Sequence, residues 1–104
     1  MISDFAEAAE VVRSTMRQKY PQVTRAFIFG SFAGHSHGEA SDLDVLVELS
    51  VPIGLEFISM VQDLEAATGM PVDIVTLKQA RELDSKYGYN IIQQARIVYD
   101  RSAS

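Results

Sequence analysis

Apolar residues recur at spacings of three and four from Phe5 through Ala8 and Val12 to Met16, which predicts an amphipathic helix that Ser3 can cap and Pro21 closes. Val23 to Phe29 is β-branched and aromatic and stops at Gly30, the pattern of a mostly buried strand. A second strand is predicted over Leu43 to Leu49, ended by Pro52 and Gly54. Leu55, Ile58, Val61 or Gln62, Leu64 and Ala67 then follow helical spacing up to Gly69, which suits a left-handed cap. Pro71 to Leu77 reads as a third strand, and Lys78 to Lys86 as a polar helix that Tyr87-Gly88-Tyr89-Asn90 interrupts. A short helical stretch near Ile91 to Ala95 leads to an edge strand, Ile97 to Tyr99. The order helix, strand, strand, helix, strand, helix, strand predicts an α/β (α+β) fold, with a mixed, mostly antiparallel sheet and helices packed on one face.

With 104 residues the chain has room for a single domain, 1–104, and its 47% apolar and 22% charged residues match the usual globular mix. A net charge of −5 repels a phosphate backbone and argues against stable binding of duplex nucleic acid. The absence of cysteine removes disulfides, thiol nucleophiles and Cys-ligated zinc, so the chemistry must use oxygen and nitrogen ligands. The first ten residues carry acids and no basic n-region, and no apolar run approaches a membrane span, so a soluble cytoplasmic protein is expected.

Carboxylates are the residues left to carry chemistry, since no G-x-x-x-x-G-K-[ST] loop, H-E-x-x-H or G-x-S-x-G is present. Asp42 and Asp44 open the second strand two residues apart. The period of two turns both to one face, with Cα atoms roughly 6.6 Å apart, a gap one divalent cation can bridge. Hard cations such as Mg²⁺ take a few carboxylates plus substrate phosphates. Ten residues lie between Ser31 and Asp42, and ahead of them a strand ends in Gly30-Ser31, where glycine admits a phosphate and the hydroxyl and nearby N–H groups donate to it. Asp73 adds a third carboxylate inside Val72-Asp73-Ile74-Val75, where it must be paired, metal-bound or on an exposed face. His35 and His37 stand in the Gly/Ser loop, and Arg25 and Lys78 are further cations expected to be solvated. Tyr87, Tyr89 and Tyr99 are expected to pack, and Met60 and Met70 to fill core.

Phe27-Ile28-Phe29-Gly30-Ser31-Phe32-Ala33 followed by Ser41-Asp42-Leu43-Asp44-Val45-Leu46-Val47 resembles the minimal nucleotidyltransferase (MNT) family, the small branch of the polymerase-β-like superfamily. Pro71-Val72-Asp73-Ile74-Val75-Thr76 is similar to the family's third-aspartate strand and Gln94-Ala95-Arg96-Ile97-Val98-Tyr99 to its ending, so the likeness covers roughly residues 20–99. Family members often place arginine at the position of Gly34 and glycine at that of His35. The resemblance implies that Asp42 and Asp44 hold two Mg²⁺ ions, that Asp73 completes the metal site beside the attacking hydroxyl, and that Gly30 and Ser31 grip the triphosphate. It implies transfer of AMP from ATP to a hydroxyl of a partner protein. In the family that partner is a helical HEPN ribonuclease toxin encoded alongside, which the MNT protein neutralises as its antitoxin, so a hetero-oligomer with it is an open option. Two alternatives stand beside this reading: a non-catalytic module that masks its partner, and a small-molecule nucleotidyltransferase completed by oligomerisation.

Overall fold

The computed structural model describes residues 4–30 and 42–103. Its elements are α1 (Phe5–Lys19), β1 (Val23–Phe29), β2 (Leu43–Leu49), α2 (Glu56–Thr68), β3 (Val72–Thr76), α3 (Leu77–Tyr87), α4 (Ile91–Gln94) and β4 (Arg96–Asp100), with a closing 3-10 turn at Arg101–Ala103. The strands form one sheet in the order β3-β2-β1-β4. β1 pairs antiparallel with both β2 and β4, and β2 pairs parallel with β3 across the α2 crossover. A mixed, mostly antiparallel sheet was expected, and this is its pairing.

Alternation along the strands divides the core. Ala26 and Ile28 of β1 and Leu43, Val45 and Val47 of β2 face α1 and α2, meeting Ala8, Val12, Met16, Met60 and Leu64. Each of the large side chains fully buried here contributes about 1.5–3 kcal/mol. The main helical layer thus lies on one face, as expected. The opposite face is partly covered as well: Phe27, Phe29, Leu46 and Val75 pack with Leu77, Ala80 and Leu83 of α3 and Ile91 of α4. The rest of that face is where the acidic residues open.

Several local expectations are corrected. Asp4 caps α1, its carboxylate accepting from the Glu7 N–H at 2.9 Å, while Ser3 lies outside the described residues. The buried line of α2 is Met60, Leu64 and Thr68 with Phe57 beside it, whereas Leu55, Ile58 and Ala67 are exposed. Thr68 can lie in that line because its hydroxyl donates to the Leu64 carbonyl at 2.7 Å, which satisfies the buried oxygen. β3 stops at Thr76, and not at Leu77, because Thr76 forms a capping box with Gln79 that starts α3. Gly69 is the left-handed cap of α2, at φ 74°. Arg101 clasps the end of the chain to α1 and β1, donating to the carbonyls of Met16, Tyr20 and Val23. Among the described residues no helix is long and apolar enough to cross a membrane.

Candidate active site

The site begins with a turn that needs glycine twice over. Gly30 leaves β1 at φ 73°, in the left-handed region that side chains rarely adopt. A Cβ there would also lie 3.2 Å from the Asp44 Cγ and closer still to Oδ2, so the backbone runs against the carboxylate itself. The antiparallel register explains this approach, since Phe29 is paired with Asp44.

The parallel register adds the next carboxylate, because Asp44 stands opposite Asp73. Neighbouring strands lie about 4.8 Å apart, so the two acids are lateral neighbours on the side of the sheet that carries Leu46 and Val75. Asp42 precedes Asp44 by two residues and is exposed, as is Asp73, while Asp44 is half-buried between them. Burial, and after it the charges of Asp73 and Asp42, push the Asp44 carboxyl above the usual carboxylate range. Among the described residues none of the three aspartates forms an ion pair.

An all-oxygen donor set on adjacent strands, half open and short of positive charge, suits a hard divalent cation that takes its other oxygens from phosphates. Among the described residues no group of three or more aspartate, glutamate or histidine side chains is gathered closely enough to hold a metal ion by itself. Among the described residues a cation would find only these carboxylate oxygens, and Mg²⁺ bound to a nucleotide takes its other oxygens from phosphates and water.

Of the residues singled out in the sequence, Gly30, Asp42, Asp44 and Asp73 are brought to one end of β2. Ser31, Gly34, His35 and His37 lie outside the described residues. Arg25, expected to be solvated, instead makes a two-pronged contact with Glu48, Nε and Nη2 each at 2.7 Å. Lys78 is exposed in the first turn of α3. Tyr99, Met60 and Met70 pack as expected. Tyr87 and Tyr89 do not: both are exposed and stack on each other with ring centroids 5.3 Å apart. Sequence reading missed the contact of Gly30 with Asp44. Its signal is only the tight bounding of two adjacent strands by Gly30 and Asp42, and the register had to be seen.

A model of the family described as polymerase beta, nucleotidyltransferase, matches residues 12–104. A Methanocaldococcus jannaschii protein provisionally named a protein adenylyltransferase is 30% identical over 80 residues, covering 74% of this chain and 79% of the relative. A second from that organism, under the same provisional name, is 32% identical over 76 residues, covering 72% and 76%. Among solved structures, a chain from the complex of tri-AMPylated Shewanella oneidensis HEPN toxin with MNT antitoxin superposes with a TM-score of 0.68 at 17% identity, over 94% of this chain and 73% of that one. A chain from a toxin–antitoxin structure with AMP-PNP gives 0.68 at 20%, over 93% and 75%. At these identities the structural likeness speaks for the fold. With the family model spanning nearly the whole chain, the protein belongs to the polymerase β nucleotidyltransferase family.

Proposed function

We propose that this protein transfers AMP from ATP to a hydroxyl of a partner protein, a HEPN-type toxin that it neutralises as the antitoxin. The observation that carries the reading is the alignment of Gly30, Asp44 and Asp73 across three neighbouring strands. Support for the acceptor class comes from the relatives, which bear the name protein adenylyltransferase, and from the tri-AMPylated toxin in the structural neighbour.

In this reading Asp42, Asp44 and Asp73 would hold Mg²⁺ together with the nucleotide phosphates, and the ion would supply neutralisation of the triphosphate charge and polarisation of the α-phosphate. Gly30 keeps the approach to Asp44 free of side chain, and with Ser31 it holds the triphosphate. Asp73, exposed at the outer strand, accepts the proton of the acceptor hydroxyl as that oxygen attacks the α-phosphorus in line. The new bond joins the acceptor oxygen to phosphorus, the α–β bridge breaks, and pyrophosphate leaves.

Intact mass spectrometry of the co-encoded partner tests this. With ATP, Mg²⁺ and sub-stoichiometric wild-type protein, the partner gains one or more AMP units of about 329 Da each, and Asp42→Asn eliminates the adduct. A partner neutralised at unchanged mass, needing stoichiometric protein and indifferent to Asp42→Asn, overturns transfer in favour of masking.

A further inference from the structure

The strand that bears Asp73 is the outer strand of the sheet, and its open edge is nearly closed by the chain's own side chains. Among the described residues β3 is paired only with β2. The Pro71 carbonyl accepts from Leu43 on β2, so alternation turns the backbone groups of Val72, Ile74 and Thr76 away from β2. The Val72 N–H is taken by Glu65 Oε2 at 3.0 Å and the Thr76 N–H by Gln79 Oε1 at 2.9 Å. Between these two blocked rungs the N–H and C=O of Ile74 face outward, next in sequence to the exposed Asp73.

Blunting an edge at both ends keeps it from pairing with other strands at random. Leaving its middle rung open provides for a short extended segment, the way many domains capture a peptide by adding a strand. Beside that rung an open pocket of about 360 Å³ lies between Ile74 and Val75 on β3 and Leu83, Lys86 and Tyr87 on α3. Its apolar floor can take a side chain of the same segment.

We propose that the acceptor protein offers its hydroxyl on an extended segment that pairs with β3 at Ile74, setting a serine, threonine or tyrosine beside Asp73 and a neighbouring apolar side chain in the pocket between β3 and α3. The inference rests on the protein-adenylylation reading above and adds how the acceptor is held. Residues opposite each other on neighbouring strands have Cβ atoms about 4.5–5.5 Å apart, so a residue facing Asp73 brings its hydroxyl to the carboxylate. An acceptor residue held within a helix could not use the Ile74 rung, so the hydroxyl must come from an extended loop or terminus of the partner.

The experiment compares Ile74→Pro with Ile74→Ala in AMP transfer to the co-encoded partner. Both variants lose the isoleucine side chain, but only proline loses the N–H, and an edge strand tolerates proline. Ile74→Pro is expected to lower kcat/KM for the partner about tenfold, mainly through KM, as the loss of one or two backbone hydrogen bonds predicts. Ile74→Ala, which trims the pocket wall but keeps the N–H, should lose clearly less than Ile74→Pro, and both should keep the melting shift given by Mg·ATP. Should Ile74→Pro not fold, amide hydrogen exchange on the wild type decides: the Ile74 N–H should exchange readily alone and slowly with partner. Equal transfer kinetics for the two variants, or Ile74 exchange unchanged by partner, overturns the edge assignment. Protection of Ile74 in a dimer of this chain alone overturns it too, in favour of self-pairing. If wild-type protein transfers AMP to no protein, the underlying reading fails and this inference with it.

Discussion

Asp44 and Glu48 stand four residues apart on β2 and share a face of the sheet, yet their acidities move in opposite directions. The Arg25 guanidinium, paired with Glu48 across the β1–β2 register, holds the Glu48 carboxyl at about 2. Thr24 donates to the same carboxylate at 2.9 Å. At the other end of the strand Asp44 meets, among the described residues, two further acids and no ion-pair partner, and burial raises its pKa. Evenly spaced carboxylates on one strand thus do different work. One is neutralised by an arginine of the neighbouring strand; the other has no ion-pair partner among the described residues. An acid cluster that opposes folding when empty marks a place where binding energy is to be recovered.

The largest effect that separates the two ends is on activity. Asp44→Ala should fold and lose transfer by at least about 10³-fold, the scale of removing a group from a catalytic unit, read as label transferred from α-labelled ATP. Glu48→Ala should keep most transfer, and comparable losses in the two variants would erase the distinction.

Gly30→Ala comes next, with Gly69→Ala as its control. The two glycines share a left-handed backbone at φ 73° and 74°, but a Cβ at Gly30 meets Asp44 while one at Gly69 meets nothing within 4 Å. Gly69→Ala should cost only the backbone strain, about 1 kcal/mol. Gly30→Ala should cost more in thermal melting and should also depress transfer, which Gly69→Ala leaves alone.

Asp44→Asn should raise the melting temperature of the unliganded protein at pH 7 by a few degrees. Because the folded-state pKa of Asp44 is raised, its ionised form costs stability at neutral pH. The cost vanishes once the residue is protonated in both states, so the gain should disappear below about pH 4. The smallest effect belongs to the partly exposed ion pair: Glu48→Gln should lower the melting temperature slightly at pH 7. A depressed pKa contributes stability that is present above the unfolded value of 4.5 and lost as pH falls toward about 2, so the deficit should close over that window.

Much of this arrangement was legible in the residues. β1 and β2 were bounded to the residue because β-branched runs end at Gly30 and begin after Asp42. An acid among Val72, Ile74 and Val75 had to be exposed or matched, and Asp73 is exposed. Hydropathy failed on α2, where a back-bonded Thr68 is buried and Leu55 is 83% exposed, because a hydroxyl satisfied by its own helix carries no polar signature. It failed again for Tyr87 and Tyr89, which shield each other by stacking. The proximity of Asp44 to Asp73 depends on strand register, which no spacing along the chain encodes.

The account turns on the acids at the start of β2 being kept for a cation that arrives with a nucleotide, and a melting crossover tests this most directly. Without ligand, Asp44→Asn should melt above wild type at pH 7. With saturating Mg·ATP the order should invert, because wild type gains the binding energy and the variant does not. If Asp44→Asn remains above wild type in Mg·ATP, with no shift in either protein, the acid cluster is not a metal–nucleotide site and the account is contradicted.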